Sequence, residues 1–112
     1  MEVAEWSEVD RAFDRLRRHP PLEPTLVAMG KLVALIRGDA AFAGVRPVVS
    51  MASLLLSRGH AKRRVCVEWD EKCGYRVHFV DPPLELTEPT TVGEDAVVQV
   101  LRDYLDRLSK PP

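Results

Sequence analysis

The spacing of apolar residues changes from helical to alternating near residue 64 and returns to helical near residue 97. In the first stretch, Val9, Ala12, Phe13 and Leu16 make a stripe at helical spacing, which predicts a helix from about Glu8 to Arg18. Ser7 is its expected N-cap, with Asp10 in an acidic first turn. Arg17-Arg18-His19 then places cations at the negative end of the helix dipole, and Pro20-Pro21 stops the chain. The run of arginines at 15, 17 and 18 therefore has an explanation in helix termination.

Pro24 is well placed in the first turn of a second helix that runs to about Arg37, with Gly38 expected as a left-handed cap. Leu26, Val27, Met29, Leu32, Val33, Leu35 and Ile36 wrap most of its circumference. A helix that is apolar nearly all round lies centrally in a fold or is covered by another chain. The residues 39–45 read as a loop or one short turn. Pro47 then predicts a third helix through Val48, Met51, Ala52, Leu55 and Leu56 to Ser57, closed by Gly59.

The period-two region is the clearest element. Val65, Val67 and Trp69 alternate with Cys66, Glu68 and Asp70, and Tyr75, Val77 and Phe79 alternate with Arg76 and His78, a β-hairpin pattern. Keeping both apolar sets on one face requires odd residues to pair with odd. In one register Trp69 faces Tyr75, Glu68 lies opposite Arg76 and Cys66 opposite His78. In the other Trp69 faces Val77, with Lys72-Cys73-Gly74 as the turn and Gly74 left-handed. Pro82-Pro83 ends the second strand, and Leu84-Glu85-Leu86-Thr87 alternates again as a candidate edge strand. A final helix follows: Thr91 to Glu94 fits a capping box, and Val97, Val100, Leu101, Tyr104, Leu105 and Leu108 form its stripe. The expected architecture is a single α+β domain over residues 1–112. It has three N-terminal helices, a two- to three-stranded antiparallel meander, and a C-terminal helix packed on the sheet.

Composition narrows the function classes. The chain has 112 residues, 46% hydrophobic and 29% charged, with 16 Lys and Arg against 17 Asp and Glu. That is enough apolar material for a core and no global field for nucleic acid or an anionic membrane. The charge is unevenly spread. Residues 1–64 hold 11 basic and 7 acidic side chains and residues 65–112 hold 5 and 10, so a basic half precedes an acidic one. The 12 arginines against 4 lysines, with no Asn, read as the mark of a GC-rich bacterial genome. Two cysteines are too few for a disulfide framework, and the acidic N-terminus lacks the order of a secretion signal, so the expected location is the cytoplasm. The strongly apolar stretches fall short of the roughly 20 residues of a membrane span.

Candidate chemistry is sparse. Cys66 with His78 is the one nucleophile-and-base combination, adjacent in one hairpin register only, and the sequence supplies no third group. No C-x-x-C or H-x-x-x-H spacing exists for a structural metal, and neither phosphate-binding glycine motif is present, so no cofactor is expected. The densest charge feature is Arg58-Gly-His60-Ala-Lys62-Arg63-Arg64, which Arg46, Arg76 or the Arg15–Arg18 run extends if the fold brings it near. The segment together with Arg76 is the candidate ligand- or partner-binding set for nucleic acid or an anionic ligand. The apolar second and third helices and the Leu84–Thr87 edge point instead to a protein partner or self-association. The leading expectation is a non-enzymatic cytoplasmic interaction module. Adaptors, immunity proteins and secretion chaperones share this general plan by analogy of architecture, without a shared motif.

Overall fold

The structure is a computed structural model that describes residues 4–18, 20–59, 61–82 and 85–108. The class is α+β. The order is α1 (Ala4–Leu16), a 3-10 turn at Pro20–Leu22, α2 (Glu23–Arg37), and a second 3-10 turn at Ala40–Phe42. Six strands follow: β1 (Val45–Ser50), β2 (Ser53–Arg58), β3 (Arg64–Asp70), β4 (Gly74–Asp81), β5 (Glu85–Leu86) and β6 (Thr90–Val92). The last element is α3 (Val97–Leu108). All pairings are antiparallel, in the order β1-β2-β3-β4, and the outer side of β4 is shared by β5 at one end and β6 at the other.

The largest departure from expectation lies at residues 47–57, where the predicted third helix is the β1–β2 hairpin, in register from Val45 opposite Arg58 to Ser50 opposite Ser53. Val45, Pro47 and Val49 face the helices while Arg46, Val48 and Ser50 face away; Leu54 and Leu56 likewise point inward and Leu55 outward. Apolar residues on both sides of the strands merge into one run that mimics a helix. The tip carries no turn signature, being Met51-Ala52, with Met51 held at φ 58. The sheet is accordingly larger than the expected meander, and among the described residues there are three α-helices instead of four.

Smaller corrections concern the caps. Helix α1 begins at Ala4, so Ser7 lies inside it, and Gly38 ends α2 at φ −95 without entering the left-handed region. Thr91 belongs to β6; α3 starts from a turn in which the Gly93 carbonyl accepts from the amides of Ala96 and Val97. Of the candidate edge strand, Glu85 and Leu86 pair with β4 and Thr87 is tied to Phe79, its amide donating to the Phe79 carbonyl at 3.0 Å; Leu84 lies outside the described residues. The β3–β4 hairpin takes the register with Trp69 opposite Tyr75 and Glu68 opposite Arg76, and Gly74 is left-handed at φ 80.

The core lies between the helices and one face of the sheet. Trp6, Val9 and Phe13 from α1, Leu26, Met29, Leu32, Val33 and Ile36 from α2, and Val97, Leu101, Tyr104 and Leu105 from α3 pack on Val45, Leu54, Leu56, Val65, Val67, Tyr75, Val77 and Phe79. Helix α2 runs between α1 and α3 and touches both, but it is not covered all round as its apolar circumference implied, since Val27 and Leu35 are half-exposed on its outer side. Its Ala28 carbonyl accepts a 2.6 Å hydrogen bond from the Tyr75 hydroxyl, which ties helix to sheet. Arg37 bonds both Asp10 oxygens at 3.1 Å between α2 and α1, and Arg102 on α3 reaches Asp39 beyond the end of α2. Phe79 and Tyr104 stack with centroids 4.6 Å apart.

Candidate functional site: the open face of the sheet

Strand alternation sends every second residue of β1 to β4 away from the helices, and none of these outward residues belongs to the core cluster. Registers across four strands arrange them in three rows. The middle row is Val48, Leu55, Cys66 and His78. One flanking row is Arg46, Ser57, Arg64, Val80 and Leu86; the other is Ser50, Ser53, Glu68, Arg76 and Thr91. No described element covers this face. An antiparallel sheet tolerates one wet face when that face is polar; here its middle is not.

Val80 and Cys66 are nearly inaccessible, and so is His78, the one buried polar residue of the described chain at 4% exposure. Around them lie Val48 at 50%, Leu86 at 62% and Met51 at 85% exposed. Ser50, Met51, Ser53, Leu55, Glu68 and Leu86 help form a shallow concavity of about 310 Å³ with Cys66, His78 and Val80 in its lining. The polar groups of the face are held locally: the Ser53 hydroxyl donates to Glu68 at 3.3 Å, and Glu68 pairs with Arg76 at 3.5 Å.

The electrostatics of Cys66 and His78 do not favour nucleophilic chemistry. Burial, reinforced by the Glu68 charge and opposed by Ser53, pushes the Cys66 thiol up to about 11. At neutral pH it is protonated, whereas a nucleophile needs thiolate. Burial also lowers the His78 imidazole, with Arg76 adding to the shift and Glu68 opposing it, so the ring is neutral. Its Nε2 is buried with no hydrogen-bond partner. Among the described residues no cluster of three His, Cys, Asp or Glu is placed to hold a metal ion.

The basic segment is divided by the same alternation. Arg58 turns to the helix side and donates to the Ala41 carbonyl at 2.6 Å. Arg63 forms a two-point pair with Asp81, at 2.5 and 3.1 Å, and lies 4.4 Å over the Phe79 ring. That pairing raises the Arg63 guanidinium further and lowers the Asp81 carboxyl. Arg64 is on the open face and Lys62 is exposed just before it; Arg76 is at the opposite end of that face, paired with Glu68. His60 lies outside the described residues. Arg46, one of the expected extensions of this segment, joins Arg64 in its row and donates to the Gly59 carbonyl at 3.0 Å. The apolar members of the site, Val48, Met51 and Leu55, were hidden by the helical reading of their segment; the signal that reveals them is the inward alternation of Val45, Pro47 and Val49 opposite Leu54 and Leu56.

No described helix is long and apolar enough to cross a membrane. Compared with known proteins, the chain matches no family model, no curated protein and no solved structure.

Proposed function

We propose that this chain is a non-enzymatic cytoplasmic interaction module that docks a protein on the open face of its sheet. The observation that carries this reading is the location of the exposed apolar side chains. Of the five large ones among the described residues, Met51 and Leu86 line the same uncovered concavity and Val48 stands beside Leu55 in the middle row of the same face, while the other two, Val27 and Leu35, sit on the outer side of α2. Contiguous apolar surface rimmed by polar groups marks interaction sites in soluble proteins.

The edges of the sheet support the same choice of surface. In the two-residue β1–β2 hairpin the closing Ser50–Ser53 pair is hydrogen-bonded, so the amides of residues 45, 47 and 49 point away from β2. Residue 47 is proline, which removes the middle donor from that edge. On the far side β5 and β6 are two and three residues long and are separated by Thr87-Glu88-Pro89. Short, proline-interrupted edges resist strand addition, which leaves the face as the accessible docking surface.

The test compares two glutamates of equal charge. Val48→Glu on the open face should abolish retention of the bound protein by the tagged chain, whereas Leu35→Glu on α2 should leave it intact, both variants being folded by circular dichroism. Retention unchanged by Val48→Glu would rule out this face.

A further inference from the structure

Building on the docking reading, we infer that the occupant of the open face is a second copy of this chain, placed by a two-fold axis that lies between the two faces and runs perpendicular to the strands. Charge selects this occupant. Arg64 is half-buried on this face and its guanidinium has no ionic or hydrogen-bond partner among the described residues. Further along the same strand, on the same face, stands Glu68, with side-chain exposure of 30%. Between them in β3 is Cys66, in the apolar middle row.

Two sheets packed face to face keep their strand directions within about 30° of each other. An axis across the strands leaves each strand opposite its own copy while reversing the order of the rows. Arg64 of each copy then meets Glu68 of the other, and the two ion pairs flank a middle where Val48, Leu55 and Cys66 overlie their equivalents. The same operation carries Arg46 over Ser50 of the second copy, away from its arginines. An axis along the strands keeps each row over itself, so that Arg64 meets no carboxylate in the row it faces, and Glu68 can meet only Arg76 of the second copy, which already pairs with the Glu68 of its own chain. Only the first arrangement gives the Arg64 guanidinium a carboxylate, twice over by symmetry.

The area sets the strength. Five strand positions at about 4.8 Å and strands of six to eight residues give a footprint of about 500 Å² per copy. Twice that, about 1,000 Å², is at the lower end for a specific interface, where complexes are weak and concentration-dependent. The structure therefore assigns a dimer that forms on concentration, not a permanent one.

Sedimentation velocity over a concentration series from about 1 μM to about 1 mM spans the affinities such a footprint provides. The wild-type mass should rise from monomer to dimer, and rise less at high salt. Arg64→Glu alone and Glu68→Lys alone each place like charges together twice, and each should weaken self-association at least about tenfold. Mixed one to one, the two variants set the introduced glutamate against the introduced lysine at one ion pair and keep the native Arg64 with the native Glu68 at the other. A heterodimer should therefore return to within a few-fold of wild-type affinity, and its recovery also shows that both variants fold. A mixture that stays monomeric overturns the proposed axis. A wild-type chain that stays monomeric throughout, while Val48→Glu still abolishes capture of a different protein, overturns self-pairing and leaves the docking face standing. Monomer with capture indifferent to Val48→Glu overturns both.

Discussion

Cys66 and His78 stand directly opposite each other on β3 and β4, in the middle of the one sheet face that no described helix covers. The pair resembles a thiol with its base, yet burial moves the two groups in the directions that oppose ionisation: the thiol upward and the imidazole downward. Compared with an ordinary cysteine near 9, a thiol at about 11 has about one-hundredth of the thiolate at neutral pH. Cys73, exposed in the β3–β4 turn, is the internal reference. Alkylation followed by peptide mapping should modify Cys73 first and Cys66 at least about 100-fold more slowly, converging only on denaturation. Preferential modification of Cys66 at neutral pH would reinstate it as a nucleophile.

The imidazole has a consequence for acid stability. Its folded value lies below the ordinary 6.5 because burial disfavours the cation, Arg76 adds to the effect and Glu68 opposes it. The unfolded chain therefore binds a proton that the folded chain refuses, and stability falls as pH drops below about 6.5. The lowered carboxylates of Asp39, Asp70 and Asp81 act in a separate window, losing their contribution as pH falls below about 4. Urea titrations at pH 7.5 and pH 5.0 should show wild type losing more stability than His78→Leu between the two. At pH 7.5 the leucine variant should be as stable as wild type or more so, since it removes a buried nitrogen with no partner. Equal pH slopes in the two proteins would sink the assignment.

These properties show how far the sequence reaches. The alternation of Val65 to Trp69 with Tyr75 to Phe79 determined which residues face the helices. Parity limited the register to two choices, one of which put Cys66 opposite His78. The stripes of α1, α2 and α3 were likewise legible because each helix buries one side, in α2 the side of Leu26, Met29, Leu32, Val33 and Ile36. The β1–β2 hairpin was not. Its outward Val48 and Leu55 are as apolar as its inward Leu54 and Leu56, so the period-two signal vanishes where the sheet carries apolar residues on both faces. The candidate docking surface and the failure to read the hairpin have the same physical origin.

Two glycines share a conformation and differ in surroundings, which separates two costs. Gly44 at φ 79 and Gly74 at φ 80 are both left-handed, but an added Cβ at Gly44 meets nothing within 4 Å, whereas at Gly74 it lies 2.9 Å from the Val92 carbonyl oxygen of β6. Gly44→Ala should cost about 1 kcal/mol of backbone strain. Gly74→Ala carries the same strain and must also push β6 from β4, so it should cost at least about 1 kcal/mol more. Thermal or urea unfolding of the two variants decides; equal losses would mean that β6 yields freely.

Met51 combines strain with exposure. It is the only described non-glycine residue with positive φ, and at the first tip position of a two-residue hairpin that conformation suits glycine. Met51→Gly should therefore stabilise the fold, by about 0.5–1 kcal/mol, while deleting a side chain that overhangs the open face. A rise in melting temperature accompanied by weaker association, measured on the same preparation, would place the methionine in the contact. Unchanged association would remove it from the docking surface.

Pro47 guards the β1 edge by a different principle. Its ring is buried on the helix side of β1 and lines one cavity with Val9 and Ala12 of α1, and a valine of similar volume keeps that apolar lining. What valine adds is an amide pointing away from β2 between those of Val45 and Val49, completing an unpaired edge ladder. Pro47→Val should leave the far-ultraviolet circular dichroism unchanged while giving light scattering that grows with concentration and time. This association should be insensitive to Arg64→Glu, because it runs through the edge and not the face. If Pro47→Val remains as dispersed as the parent chain, proline is not what protects this strand; if its association is suppressed by Arg64→Glu, the added assembly proceeds through the open face instead.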